Sequence, residues 1–304
     1  MELMNKIIIG LLPVIPKFVV GRVASRYIAG KTLAEAINAT RNINAAGAMA
    51  TIDLLGEDTT KRQQAEDAAK VYHQILDAIN REKVNANISL KPTHFGLKIN
   101  YDFCLSLIGE VIQHATEKGN FLRIDMEDHS CTDATLRMYH KFHQDYNNVG
   151  VVLQAYLRRT IKDIQQLKEV KANLRLCKGI YREPRTLAYQ QRAVIIRNFA
   201  LLLEELLSSG CYVGIATHCE EVVWHALRII HQLQLKPDQY EFQMLLGVEP
   251  ELRKILIDAG HRLRVYVPFG DEWYAYSTRR LKENPQIANY VMRDFFGLSG
   301  QAIK

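Results

Sequence analysis

Charged and polar side chains stand at the ends of short apolar segments along this chain. These residues are Lys91, Asp125, Gln154, Arg175, Lys178, Thr217, His218 and Tyr266. A charged residue in a buried strand is destabilising unless it is paired or binds a ligand. One such residue indicates a structural ion pair, whereas several basic positions with an amide and a Thr-His pair indicate a site for a large polyanionic ligand. Gly179 would let backbone amides approach the phosphates of a cofactor there.

A second concentration of chemistry lies in residues 271–285, which read DEWYAYSTRRLKENP. The side chains that share one face at helical spacing are Trp273, Tyr276, Arg280 and Glu283. Arg279 lies beside them. Two adjacent arginines next to aromatic rings can bind a carboxylate bidentately while the apolar body of a substrate packs on the rings. A lone Arg-Arg pair would instead be explained as a solvated helix face.

One acidic cluster has the residue types of a metal site. Its members are Asp125, Glu127, Asp128 and His129. No second set with recognisable ligand spacing accompanies the cluster, so we predict no metal site. We expect these acids to pair instead with Lys91 and Arg175 on neighbouring strands.

Short β-rich segments alternate with amphipathic helices eight times. The predicted strands span residues 48–55, 86–93, 121–127, 150–156, 173–179, 212–218, 240–246 and 262–269. Several are continuous apolar runs, typical of parallel strands buried on both faces. The pattern predicts an α/β protein with a (β/α)8 TIM-type barrel. A doubly wound open sheet is the alternative, but no GxGxxG follows any strand. In such barrels the chemistry lies at the carboxyl ends of the strands.

The length of 304 residues and the apolar share of 48% exclude a disordered or collagen-like chain. They fit a barrel over residues 46–304, preceded by an N-terminal helical arm over residues 1–45. A last helix is expected to cap the carboxyl ends of the strands.

Residues 7–20 are apolar but are interrupted by two prolines and a lysine, and they are too short for a spanning helix. We expect them to pack on the barrel, with a peripheral membrane contact as the alternative.

The net charge of +6 and the sequence pI of about 9.0 are weak evidence for nucleic acid, and no such partner is expected. This excess fits an anionic ligand or a negatively charged membrane surface equally well.

Five cysteines without a CxxC pair and the lack of a secretory signal favour a reduced, cytoplasmic setting. Peripheral attachment at the inner face of the membrane stays open.

The strand-end motifs, in order, resemble those of the proline dehydrogenase family, which are FAD-dependent enzymes on a (β/α)8 barrel. The matching stretches are IDLLGE at 52–57, ISLKPT at 88–93, RIDMED at 123–128, VLQAYLRR at 152–159, RLCKG at 175–179, ATH at 216–218, EFQMLLG at 241–247 and RVYVPFGDEWYAYSTRRLKENP at 264–285. The last stretch is the family's substrate-binding signature. The length is similar to that of the short, single-function bacterial members rather than the long bifunctional ones.

The resemblance implies roles for the substrate-binding residues. Arg279 and Arg280 match the pair that binds the proline carboxylate. Tyr266 and Tyr276 match the aromatic residues that shape the substrate pocket. Glu57 matches a residue that pairs with an arginine of the last helix and gates the site.

The resemblance also implies roles toward the cofactor. Lys91 and Asp125 match charged residues near the substrate and the flavin, and Arg175 matches the arginine beside flavin N5. A positive charge there stabilises the reduced ring. The other implied FAD contacts are Gln154, Lys178, Gly179, Thr217, His218 and Glu283.

The implied reaction is oxidation of L-proline to Δ1-pyrroline-5-carboxylate by hydride transfer from C5 to flavin N5, with the electrons passed to a membrane quinone. A related cyclic amino acid such as hydroxyproline is the alternative substrate. A different enzyme class would be a barrel aldolase or isomerase that uses Lys91 or Lys178 as a Schiff-base amine. A barrel that has lost catalysis and serves as a membrane-associated binding protein is the non-enzymatic alternative.

Overall fold

Eight parallel strands form the centre of the molecule, which we describe from a computed structural model for residues 26–274 and residue 277. The strands are β1 (Met49–Leu54), β2 (Ala86–Leu90), β3 (Leu122–Ile124), β4 (Val149–Gln154), β5 (Asn173–Cys177), β6 (Tyr212–Ala216), β7 (Tyr240–Leu245) and β8 (Leu263–Phe269). Each pairs in parallel with the next along the chain, and β8 pairs with β1, so the sheet closes. The predicted (β/α)8 barrel is confirmed, and the open-sheet alternative is wrong.

Helices follow the first seven strands and cover the outside of the barrel. In the described residues the helices are α1 (Leu33–Ala45), α2 (Arg62–Glu82), α3 (Tyr101–Glu117), α4 (Thr132–His143), α5 (Thr160–Glu169), α6 (Arg192–Ser208), α7 (Glu220–Gln232) and α8 (Pro250–Asp258). Helix α2 shows why they form, because its apolar stripe at i, i+4, i+7 and i+11 is fully or almost fully buried against the sheet. The amphipathic pattern therefore fixes the outer layer.

The seam between the last strand and the first is covered from the N-terminal side. Helix α1, which precedes β1, packs on both β8 and β1. Thr32 begins the helix with a capping box, since its hydroxyl accepts from the Glu35 N–H and Glu35 Oε2 accepts from the Thr32 N–H at 2.8 Å. The chain that follows β8 is consequently not required to close the helical ring.

After β8 the chain turns at Gly270, whose φ of 125° is unfavourable for other residues. Residues 273, 274 and 277 are helical, and Trp273 packs against Leu55 just past the end of β1. This is the start of the predicted last helix at the carboxyl ends of the strands. The other residues predicted for that helix, and the apolar segment 7–20, lie outside the described residues. No helix in the described part is long and apolar enough to cross a bilayer.

The inside of the barrel differs from the apolar layer between sheet and helices. Its buried charged side chains are Asp53, Lys91, Arg123, Asp125, Arg175, Glu241 and Arg264. Such groups are tolerated only when their hydrogen bonds and charges are satisfied. The pairing of these residues therefore determines what faces the mouth of the barrel.

Candidate active site

An open cavity lies at the carboxyl ends of the strands, with an empty volume of about 1090 Å³ that includes solvent at its mouth. The predicted site residues that line it are Lys91, Asp125, Gln154, Arg175, Lys178, Gly179, Thr217, His218 and Tyr266. Six different strands and the loops after them bring these residues together. The other predicted site residues, Tyr276, Arg279, Arg280 and Glu283, lie outside the described part of the chain.

Asp125 lies at the centre of the polar side chains that line the cavity. Its Oδ1 accepts from Arg175 Nη1 at 2.7 Å and from Ser89 Oγ at 2.5 Å, and its Oδ2 accepts from the Tyr266 hydroxyl at 3.0 Å. The Arg175 guanidinium also lies over the Tyr266 ring, 5.2 Å from its centroid. The predicted pairing of the acidic cluster with Arg175 is thus confirmed for Asp125.

Arg175 is held from a second side. Its Nε donates to Gln243 Oε1 at 2.5 Å, and Gln243 Nε2 donates to Glu241 Oε1 at 2.5 Å. Among the residues that the structure describes, nothing accepts a hydrogen bond from Arg175 Nη2. The cation is therefore fixed through Nε and Nη1, while one terminal nitrogen stays available to a ligand in the cavity it lines.

Lys91 has a different partner from the one predicted. Its Nζ donates to Asp53 Oδ2 at 2.8 Å, and not to the acids after β3. Asp53 is 0% exposed and lies on β1, the neighbour of the strand that Lys91 follows. Asp53 is not among the predicted site residues, although a lone acid inside the apolar run of β1 is a signal for a buried cation partner.

The ion pair also bears on the Schiff-base alternative. Burial lowers the pKa of Lys91, but the nearby negative charges, chiefly Asp53 and Asp125, and the hydrogen bond to Asp53 together raise that pKa above its ordinary value. A Schiff-base lysine needs the opposite shift, because only the neutral amine attacks a carbonyl. The environment of Lys91 therefore favours a fixed cation over a nucleophile.

The remaining members of the acidic cluster point to different partners. Glu127 accepts from the Thr93 N–H at 2.9 Å and from its hydroxyl at 2.5 Å, and the imidazole of His129 pairs with Glu183. Asp128 accepts from the N–H of Ser130. Within the described residues, no group of three or more His, Cys, Asp or Glu side chains is placed to hold a metal ion. The expected pairing of Glu127 with a basic residue is wrong, because the Thr93 donors are nearer.

Burial raises the pKa of Glu127 to about 7 from an ordinary 4.5, against the opposing hydrogen bonds from Thr93. Between these values the folded protein keeps a proton that the unfolded chain releases. The contribution of Glu127 to the free energy of unfolding therefore falls as pH rises through this interval.

We expect Glu127→Gln to lose less stability than the wild type between about pH 4.5 and pH 7, by on the order of 1–3 kcal/mol. Urea unfolding across that interval measures the difference, and the exposed Glu110→Gln is the matched control. Parallel profiles for the wild type and Glu127→Gln would contradict it.

The loop after β5 is shaped by Gly179, whose φ is 103°. A Cβ at this position would lie 2.1 Å from the ring of Tyr156, so a side chain has no room there. Lys178 stands beside it with no side-chain partner in the described residues, and both line the cavity. Together they offer backbone amides and a free cation, as an anionic cofactor group requires.

The strands on either side of β5 contribute oriented polar groups and part of an apolar floor. Gln154 is buried, and its Nε2 donates to the Glu127 carbonyl at 2.7 Å. No described side chain donates to its Oε1, so this oxygen can bind a ligand. His218 Nε2 accepts from the Leu245 N–H at 2.8 Å, which fixes the ring. The apolar floor is formed by Val152, Ala216, Met244 and Leu245. A flat ring with polar edges fits such a surface.

Fold and cavity define the class of protein: a (β/α)8 enzyme whose site, at the carboxyl mouth, combines fixed cations with an apolar floor. A family model described as proline dehydrogenase matches residues 36–293. The chain therefore belongs to the proline dehydrogenase family, as its strand-end motifs predict, and its enzyme class is that of these oxidoreductases.

Two curated relatives are similar in length to this chain. The chain is 35% identical to proline dehydrogenase 1 of Bacillus subtilis (strain 168) over 270 residues, which is 89% of each chain. It is 33% identical over 275 residues to the proline dehydrogenase of Deinococcus radiodurans, again 89% of each. A crystal structure of proline utilization A from Bdellovibrio bacteriovorus, inactivated by N-propargylglycine, matches with a TM-score of 0.82 at 24% identity. That match covers 91% of this chain and 34% of the other, and it supports the fold alone.

Proposed function

We propose that this enzyme uses FAD to oxidise L-proline to Δ1-pyrroline-5-carboxylate and passes the electrons to a quinone. The main support for this proposal is the position of Arg175. Asp125 binds its Nη1 and Gln243 binds its Nε, and Nη2 is left for a ligand. A fixed cation of this kind stabilises negative charge that develops on a bound group during a reaction. The family resemblance supports placing it beside the flavin.

The residues of the cavity fit FAD. Gln154 Oε1 would bind a polar edge of the ring, and Lys178 with the Gly179 backbone would bind the phosphates. We assign Thr217, His218 and Glu283 to further cofactor contacts on the resemblance. When bound, FAD supplies the acceptor for the hydride from C5 of proline.

The protein itself binds and orients the substrate. We propose that Arg279 and Arg280 bind its carboxylate, while Tyr266 and Tyr276 pack on its ring. Asp125 orients the Tyr266 hydroxyl, since that hydroxyl donates to it. Lys91, with its charge kept by Asp53, contributes a second cation to the same wall.

Two measurements test the cofactor and the bond that is broken. Purified protein, or protein reconstituted with FAD, is expected to show a flavin spectrum, and L-proline deuterated at C5 is expected to react more slowly than unlabelled L-proline. Protein that cannot take up FAD, or an absent isotope effect in the reductive step, would contradict the proposal. Parallel assays with hydroxyproline establish which cyclic amino acid is preferred.

The electron acceptor is proposed to be a membrane quinone reached from the cytoplasmic side. The apolar segment 7–20 and the positive net charge of +6 support a peripheral contact with an anionic membrane. Reduced enzyme is expected to be reoxidised by a soluble quinone analogue and to sediment with anionic but not with neutral vesicles. Failure of the quinone to reoxidise the enzyme would exclude this acceptor, and failure to sediment would exclude the contact.

Replacement of Arg280 tests the substrate site separately. We expect Arg280→Met to raise KM for L-proline by about tenfold or more, because a charge-assisted bidentate contact to the carboxylate is lost. The FAD content should stay at the wild-type level. Steady-state kinetics and the flavin-to-protein absorbance ratio measure both quantities. Unchanged KM for L-proline would refute the role of Arg280 in substrate binding. Loss of FAD would indicate that Arg280 contributes to cofactor binding instead.

A further inference from the structure

We propose that Gln243 is a positioning residue for Arg175, and that Glu241 fixes the Gln243 amide in the orientation this requires. The inference rests on the proposed function, in which Arg175 lies beside the flavin. It explains why a neutral amide that accepts from Arg175 and donates to Glu241 lines the cavity.

Strand geometry shows how Gln243 reaches its partner. Arg175 on β5 and Gln243 on β7 are separated by β6, in which Gly214 is the register partner of both Arg175 and Glu241. A Cβ on Gly214 would lie 2.3 Å from Gln243 Nε2. The side chain of Gln243 therefore passes over β6 at the one point where that strand carries no side chain. This arrangement brings its Oε1 to 2.5 Å from Arg175 Nε.

Glu241 determines which end of the amide faces Arg175. Its carboxylate accepts from Arg264 Nε at 2.7 Å and Nη2 at 3.1 Å, and from the Tyr212 hydroxyl at 2.9 Å. Burial opposes its ionisation, but the charge of Arg264 and the hydrogen bonds from Arg264 and Gln243 together keep the pKa of Glu241 below its ordinary value. An ionised carboxylate accepts only, so the amide nitrogen of Gln243 must face it and the amide oxygen must face Arg175.

Arg175 is therefore held at two edges of its planar guanidinium. Asp125 binds Nη1 and Gln243 binds Nε, so the plane cannot turn about either contact alone. Without Gln243, the hydrogen bonds of the guanidinium would all be made through Nη1, so the plane could turn about that nitrogen and Nη2 would lose a defined direction. A positioned cation stabilises developing negative charge more than a mobile one, since it needs no reorganisation during the reaction.

The test is Gln243→Met in the FAD-loaded full chain, since methionine fills a similar volume without the two hydrogen bonds. We expect the two-electron equilibrium of the bound flavin to shift about tenfold toward the oxidised form, which is a potential lower by about 30 mV. We expect kcat to fall by about tenfold while KM for L-proline changes by less than about twofold. A residue with a purely structural role would alter the thermal midpoint without moving the potential.

A second variant moves Gln243 without replacing it. Gly214→Ala places a methyl group where the amide nitrogen lies, so Gln243 must leave its two partners. It is expected to reproduce the lowered potential and kcat. Thr51→Val is the matched control, because it removes a buried hydrogen bond to Asn87 in the same barrel without contacting Arg175.

The outcomes separate this inference from the proposed function. A wild-type potential in either folded variant would overturn the positioning role while leaving the FAD-dependent reaction intact. A shift in Thr51→Val as large as in Gln243→Met would also overturn it, because the effect would then be general loosening of the barrel. If the wild-type chain binds no FAD, the proposed function itself fails.

Discussion

Replacing Arg175 by methionine is expected to lower kcat for L-proline oxidation by about 10²–10³-fold, the range for removal of one preorganised charge-stabilising group. Arg175 is buried, ion-paired to Asp125 at 2.7 Å and hydrogen-bonded to Gln243 at 2.5 Å. Methionine fills much of the space but carries no charge toward the cavity. Rapid-mixing measurements of flavin reduction are the direct assay, because they isolate the step in which negative charge develops.

Two further variants sharpen this test. Arg175→Lys keeps the charge but cannot make the Nε and Nη1 contacts together, so its rate should lie between those of the wild type and Arg175→Met. Arg158→Met is the matched control, since Arg158 is exposed and donates to the Arg185 carbonyl away from the cavity lining. A rate for Arg175→Met within about twofold of the wild type would contradict the role of Arg175.

The second large effect is expected on stability. Asp53→Ala should reduce the free energy of unfolding by about 3–5 kcal/mol, because it leaves the buried Lys91 cation without its partner. Asp53 is 0% exposed, its Oδ2 accepts from Lys91 at 2.8 Å and its Oδ1 lies 3.2 Å from the Tyr72 hydroxyl. Urea unfolding of wild type and variant, compared at one pH, gives the difference.

A double-mutant cycle shows whether the loss comes from the unpaired charge. The variant Asp53→Ala/Lys91→Met is expected to be more stable than Asp53→Ala alone, since it removes the cation together with its partner. An exposed pair, Lys70 and Asp67, gives the reference cycle, for which little coupling is expected. Additive losses at Asp53 and Lys91 would contradict the ion pair as the source of stability.

The barrel was predictable because strand count and helix periodicity are local properties of the sequence. Charged residues in apolar strands, such as Lys91 and Arg175, were recognisable for the same reason. Their partners were harder to predict. Asp53 and the acids after β3 are all plausible partners of Lys91 in sequence, and only the closed barrel shows that β1 presents the nearest carboxylate.

The supporting residues show the same limit. Gln243 reaches Arg175 only because β6 carries Gly214 at the crossing point, which depends on the register of three strands. Helix α1 covers the seam between β8 and β1, a position that its own amphipathic pattern does not specify. The local sequence pattern thus predicts which residues are candidates for the site. Strand register determines which of them contact one another.

We propose above that the cavity of this enzyme holds FAD and that L-proline reduces it. An anaerobic titration of the FAD-loaded full chain with L-proline, followed by its absorption spectrum, tests this most directly. We expect the oxidised flavin bands to bleach as L-proline is added and to return when a quinone analogue is introduced. A flavin spectrum that stays oxidised in saturating L-proline would contradict the account.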